Sequence, residues 1–232
     1  LLGGKKGDYK TVSPLNHVNR SQSTNDAVPT AARIGILIEL DNTIKALGEL
    51  ADALENKAEE FKDVIKMGRT HLQDAVPITL GQEFGAWAGA IRRDVKRLED
   101  AATGLTTINL GGTAVGTALN ADMEYIRISC LELAKISGYP LTTASNLVDA
   151  TQNADVLAEL SSCLKVCAIN LCKIANDMRL LASGPMAGIG EIILPAVQPG
   201  SSIMPAKVNP VIPEVVNQVA FQIIGNDLTI TM

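Results

Sequence analysis

Three short polar segments interrupt a chain that is otherwise apolar and helical in pattern, and each falls beside a helix boundary. The first, Ser23-Thr24-Asn25-Asp26, opens the longest periodic stretch. A helix start offers unpaired backbone N–H groups and the positive end of the helix dipole, so it attracts anions. Hydroxyl and amide side chains there can also contact a carboxylate; taken alone, the segment reads as a cap. The second segment, Gly68-Arg69-Thr70-His71-Leu72-Gln73-Asp74, holds one of only two histidines. His71 sits among hydrogen-bonding residues rather than on an apolar face, which suits proton handling or substrate contact. The third runs Gly200-Ser201-Ser202-Ile203-Met204-Pro205-Ala206-Lys207-Val208-Asn209-Pro210. Serine is a poor base in water, but among converging N–H donors and beside a cation its alkoxide becomes more accessible. Alone, this stretch would be a flexible linker ending in a cap.

Long helices must hold these segments in place. Leu37, Leu40, Ile44, Leu47, Ala51, Leu54, Ala58 and Phe61 alternate steps of three and four, the seam of a helix packed lengthwise on others. Asn25 or Asp26 can cap it, and Pro29 fits its first turn. From Asp26 to Phe61 this helix would run about 54 Å. Residues 62–78 break the pattern around Gly68 and Pro77, and Thr79 with Gln82 has capping-box spacing for a second helix. That helix carries the stripe Phe84, Trp87, Ile91, Val95, Leu98, Ala102 and Leu105. A glycine-rich turn at 110–120 precedes a shorter helix near 122–137, which Gly138-Tyr139-Pro140 ends. A fourth helix is predicted over 146–183, apolar on most faces from Val156 to Leu181 and stopped by Gly184-Pro185. After a glycine- and proline-rich loop at 185–208, Asn209-Pro210 has the form of an N-cap followed by proline at the first helical position of a fifth helix. No alternating pattern long enough for a useful strand stands out. The expected fold is all-α, an elongated bundle of long helices.

Composition narrows the function. The 232 residues are 47% hydrophobic but only 3% aromatic, so a sizeable core must come from Leu, Ile, Val and Ala. Charged residues make up 19%, below the roughly 25% of an ordinary soluble domain, which suggests surface hidden in subunit contacts. A net charge of −5 argues against a nucleic-acid or anionic-membrane binder. No apolar run approaches the roughly 20 residues that span a bilayer, and no signal peptide opens the chain, so a cytoplasmic location is expected. Cys130, Cys163, Cys167 and Cys172 lack the spacing of a disulfide framework, and His17 with His71 does not make a zinc site. The chain has no Walker loop and no G-x-S-x-G elbow, and residues 111–116 do not fit the dinucleotide fingerprint. It starts without Met and stops inside an apolar pattern, so it reads as the middle of a longer protein. On that reading residues 1–22 end a truncated N-terminal domain, and 23–232 form a central helical bundle truncated at its C-terminus.

Together the three segments are far more specific than any one of them. Residues 200–210 match G-S-S-x-M-P-x-K-x-N-P, and the chain also carries S-Q-S-T-N-D at 21–26, G-R-T-H-L-Q-D-A at 68–75 and I-G-N-D at 224–227. In these it resembles the aspartase/fumarase superfamily along essentially its whole length. Thr24 after Ser23, and Pro-Val-Ile-Pro-Glu-Val-Val-Asn-Gln-Val at 210–219, are most similar to the aspartate ammonia-lyase branch. The resemblance implies reversible removal of ammonia from L-aspartate to give fumarate through an aci-carboxylate, with no cofactor. It implies Ser201 as general base. Ser23, Thr24 and Ser202 would hold the carboxylate beside the reacting carbon, and Thr70, Lys207 and Asn209 the α-carboxylate. Asn25 and His71 would contact the amino group, and Glu214 would pair with the histidine. It further implies a homotetrameric helical core with sites shared between subunits. Many relatives have Arg at Met186 and Gly at Ala118, and aspartases usually have an aromatic residue at Val28. The rival readings are a class II fumarate hydratase, acting on fumarate and L-malate, and an inactive helical scaffold.

Overall fold

A hydrophobic stripe stabilises a helix only when a neighbour covers it, and the burial of this chain follows its stripes. The structure, a computed structural model, describes residues 2–232; Leu1, at the head of the expected 1–22 segment, lies outside them. The elements are α1 (Thr24–Glu60), β1 (Ile65–Thr70), β2 (Gln73–Thr79), α2 (Leu80–Leu105), β3 (Thr107–Ile108), α3 (Met123–Ser137), β4 (Thr142–Thr143), α4 (Leu147–Gln152), α5 (Asp155–Leu181) and α6 (Val211–Thr231). The fold is all-α in class, with two short strand pairs added. The chain divides into two compact units, one reaching up to Asp41 and including Ala101–Val156, the other formed by Asn42–Asp100 and Leu157–Met232.

In the first unit Leu37, Leu40, Leu105, Ile108, Ile126, Cys130 and Leu141 are buried. Arg33 reaches the carbonyls of Gly104 (3.1 Å) and Thr107 (2.9 Å), which helps satisfy the open C-terminal end of α2. β3 and β4 form a parallel ladder, Thr107 opposite Thr142 and Ile108 opposite Thr143. The Asp122 side chain caps α3, and Gly138, in the left-handed region at φ +79°, ends it as expected. The single helix predicted over 146–183 is divided. Asn146 caps α4 through Val148 and Asp149, and Asn153 then adopts an extended backbone (φ −107°, ψ 140°) that breaks the run before α5. The Asn153 side chain stabilises the break by donating to Asp149 Oδ1 at 2.7 Å. Polar residues that bond locally compete with helix in this way.

Ala118, in the glycine-rich turn, has φ +57°. An L side chain pays about 1–2 kcal/mol there, part of which a glycine returns as chain entropy. Ala118→Gly is therefore expected to stabilise the protein by about 0.5–1 kcal/mol. Calorimetry would read this as a melting temperature higher by about 1–4 °C.

In the second unit the expected seams are buried at Leu47, Ala51, Leu54, Phe84, Trp87, Ile91 and Leu98, with α5 supplying Leu160, Cys167, Ala168, Ile174, Ala175 and Leu181. The α2 stripe departs from expectation where Asp94, only 1% exposed, takes the core-facing place beside half-buried Val95. Asp94 is accommodated because the Asn170 amide spans both its oxygens (2.8 and 3.0 Å) and Arg97 lies at 2.6 Å. Further along α2, in the first unit, Ala101 is buried and Ala102 is half-buried. The capping box predicted at Thr79 and Gln82 forms in both directions, at 3.0 and 3.1 Å.

Residues 62–78, where no strand stood out, fold into an antiparallel hairpin of β1 and β2. Gly68 sits at its bulge, where a Cβ would fall 2.7 Å from the Val76 carbonyl oxygen. The loop is His71-Leu72, with both residues at positive φ (53° and 63°). A two-residue hairpin loop demands that geometry and usually obtains it from Asn-Gly.

Candidate active site

Ser23 caps α1, rather than Asn25 or Asp26. Its hydroxyl accepts from the Asn25 N–H (3.1 Å), and its own N–H donates to Asp26 Oδ1 (2.9 Å), a reciprocal box with a carboxylate in the third helical position. The second Asp26 oxygen accepts from the backbone N–H groups of Gly111 (3.1 Å) and Thr113 (2.8 Å). Asp26 is fully buried. The Asn25 side chain donates to the Ala114 carbonyl at 2.7 Å, and Asn109 donates to the Asn25 carbonyl at 3.0 Å. Thus Ser23, Thr24 and Asn25 stand together at one helix start, tied to the glycine-rich turn. Thr24 and Asn25 line a cleft of about 660 Å³ with Val28, Ala114 and Thr151.

The other seven predicted residues lie in the second unit. Thr70 ends β1 and His71 forms the hairpin tip, both exposed. The hairpin is anchored by a charged cluster at its base. Lys66, whose side chain is 7% exposed, lies 2.6 Å from Glu83 and 2.7 Å from Glu191, and Arg69 pairs with Glu191 as well. Burial would raise the Glu191 carboxyl, but the contacts with Arg69 and Lys66 outweigh it and hold it below the ordinary carboxylate value. Nothing in the periodicity of the sequence marks Lys66 or Glu191, because their partners lie far apart along the chain.

The 200–210 loop folds back on itself. Gly200 bridges to Pro205, the Ser201 N–H donates to the Lys207 carbonyl (3.0 Å), and the Lys207 N–H donates to the Met204 carbonyl (3.1 Å). Gly200 has φ +120°, and a Cβ on it would lie 2.8 Å from the Ala206 nitrogen, so only glycine fits. Ser201 is half-buried, Ser202 and Lys207 are exposed, and Asn209 is half-buried. Lys207 and Asn209 line a cleft of about 550 Å³ with Pro185, Ile192 and Leu194. The expected cap at Asn209 is not made. α6 starts at Val211 after a non-helical Pro210 (φ −78°, ψ 60°) with no side-chain cap, and the Asn209 amide has no hydrogen-bond partner among the described residues. Glu214 lies in the first turn of α6, its carboxylate 3.9 Å from Arg179. Among the described residues no hydrogen bond joins Thr70 or His71 to Ser201, Ser202, Lys207 or Asn209.

The remaining titratable candidates are committed elsewhere. His17 Nδ1 accepts from the Ser13 N–H at 3.0 Å. The cysteines are free thiols, and burial pushes Cys167 up to about 12, which makes it unreactive. Among the described residues no group of His, Cys, Asp and Glu could hold a metal ion, and no helix is long and apolar enough to cross a membrane.

Three polar segments on an all-α frame, one of them at a helix start and one in a folded Gly-Ser-Ser loop, are what the superfamily resemblance led one to expect. The Lyase family model matches residues 1–225, and the chain belongs to that family, within the aspartase/fumarase superfamily. Its relatives there include aspartate ammonia-lyases. Those of a Bacillus species, of Bacillus subtilis (strain 168) and of Escherichia coli (strain K12) are 62%, 58% and 50% identical over 100% of this chain. The chain spans about half the length of these relatives, 49%, 49% and 48%. A Brucella melitensis structure described as fumarate lyase:delta crystallin bound to cobalt superposes with a TM-score of 0.93 at 55% identity, covering 100% of this chain and 50% of that one. A recombinant class II fumarase from Schistosoma mansoni superposes with a TM-score of 0.91 at 37% identity, covering 96% of this chain and 50% of that one.

Proposed function

We propose that this chain is the central part of a carbon–nitrogen lyase that deaminates L-aspartate reversibly to fumarate and ammonia. The observation that carries the reading is identity of 50–62% to aspartate ammonia-lyases over the whole chain. Ser201 takes the C3 proton as general base. Removing that proton leaves a second negative charge on the neighbouring carboxylate, so catalysis depends on holding this aci-carboxylate more tightly than the substrate. Ser23, Thr24 and Ser202 do so with hydroxyls and the start of α1. Thr70, Lys207 and Asn209 hold the α-carboxylate, and the lack of a side-chain cap on α6 supports that role for Asn209. Asn25 and His71 contact the amino group, and Glu214 orients the histidine ring. As the dianion collapses, the C3 electron pair forms the double bond, the C–N bond breaks, and ammonia leaves. No cofactor enters these steps.

Chain arithmetic supports shared sites. The 37-residue α1 separates Ser23 from the hairpin. A helix of that length rises about 55 Å, whereas the eleven residues from its end to His71 extend at most about 40 Å. Ser23–Asn25 and His71 thus meet on one small acid only when different copies supply them, in a cytoplasmic homotetramer whose core is residues 23–232. The test is to give the full-length protein L-aspartate or L-malate and follow fumarate by its ultraviolet absorbance. Fumarate from aspartate is expected. Turnover of malate alone would make the protein a hydratase, and turnover of neither would leave a scaffold.

A further inference from the structure

Asp26 belongs to a quoted motif, yet its role in the chemistry above is nil, and its surroundings are more elaborate than a cap requires. It is fully buried, and its three hydrogen-bond partners among the described residues are backbone N–H donors: Ser23 on one oxygen, Gly111 and Thr113 on the other. The turn it grips is not one the chain adopts freely. Gly111 has φ +92°, which glycine adopts readily, but β-branched Thr113 has φ +58°, and such a conformation persists only when its surroundings enforce it. One residue beyond Thr113, the Ala114 carbonyl accepts from Asn25 Nδ2 at 2.7 Å. That bond decides which way the Asn25 amide faces. Turned over, Oδ1 would meet the Ala114 oxygen, acceptor against acceptor. As it stands, one of the two amide N–H groups is held by Ala114, and Oδ1 is the acceptor left for a ligand at the edge of the cleft that Thr24 and Asn25 line.

We propose that Asp26 is a positioning residue: by clamping the 111–114 turn against the start of α1, it orients the Asn25 amide so that Oδ1 faces a positively charged donor, the ammonium group of the amino-acid substrate. This rests on the proposed deamination, in which Asn25 contacts the amino group. The clamp needs a carboxylate, because an amide in its place would set an NH₂ against at least one N–H donor. Gly112, between the two gripped amides, gives a second handle on the same turn. A Cβ there would lie 3.1 Å from the Asn109 carbonyl oxygen and 3.2 Å from both Gly116 Cα and Thr151 Oγ1, so alanine forces a local shift of a few tenths of an ångström through atoms other than those of Asp26.

The experiment uses the full-length enzyme in the amination direction, with ammonium and fumarate varied separately, for wild type, Asp26→Asn and Gly112→Ala. The expected result is a KM for ammonium raised about tenfold in Asp26→Asn, the size of one lost hydrogen bond to a charged group. Gly112→Ala shifts it in the same direction, and the KM for fumarate stays unchanged in both. Amide hydrogen exchange at Gly111 and Thr113 speeds up in Asp26→Asn. Equal changes in both KM values, or no change in either, would overturn the positioning role and leave Asp26 as a structural residue. If Asp26→Asn fails to fold, Gly112→Ala alone decides between these outcomes. A wild-type protein that does not interconvert aspartate and fumarate would instead overturn the reading on which this one rests.

Discussion

Ser201→Ala in the full-length protein is expected to lower kcat by about 10²–10⁴-fold, the contribution of a positioned general base. Substrate affinity, helix content and the oligomer should stay as they are. The tie that shapes the loop runs from the Ser201 backbone N–H to the Lys207 carbonyl (3.0 Å), which alanine keeps. The Ser201 hydroxyl has no hydrogen-bond partner among the described residues, so its removal strands no buried group. Initial rates of fumarate formation, circular dichroism and gel filtration on the same preparations check all three points. Retained activity would remove Ser201 as the base.

Two defective variants mixed together are expected to repair each other. Asn25→Ala damages the segment at the start of α1, and His71→Ala damages the hairpin tip beyond its far end. If every site draws these segments from different copies, some sites in a hybrid oligomer receive both intact. Refolding or co-expressing the two variants should then give activity well above the sum of the parents, measured as fumarate formed per mass of protein. A mixture that only adds its parents' rates would place a complete site within one chain.

Much of this was legible because its causes are local. The Thr79–Gln82 box, the Gly138 stop and the three-and-four stripes of α1 and α2 depend on residues within a few positions of one another. The hairpin was hidden for a physical reason. Its strands are short, Gly68 inserts a bulge, Pro77 sits inside β2, and its tip is His-Leu rather than a sequence that favours positive φ. The break at Asn153 depends on one side-chain bond to Asp149, which apolar periodicity does not register. At the candidate site, the motifs located the segments, and the residue types suggested the chemistry proposed for them. The supports were not visible, because Asp26 with Gly111 and Thr113, and Lys66 with Glu83 and Glu191, are partners across long stretches of chain.

The polar pairs in the second unit have a consequence for how its helices align. Asp94 on α2 meets Asn170 on α5, while Asp227 on α6 meets Ser161 and Lys165 on α5. Hydrogen bonds from Lys165 and Ser161 keep the Asp227 carboxyl below its usual value, hence charged. The Leu, Ile and Ala stretches of the seams fix the axial position of a helix only weakly, because sliding by one turn, about 5.4 Å, brings similar side chains together. The same slide would leave a buried carboxylate facing hydrocarbon, which costs several kcal/mol. These charges work as registration pins, giving three greasy rods a single admissible alignment.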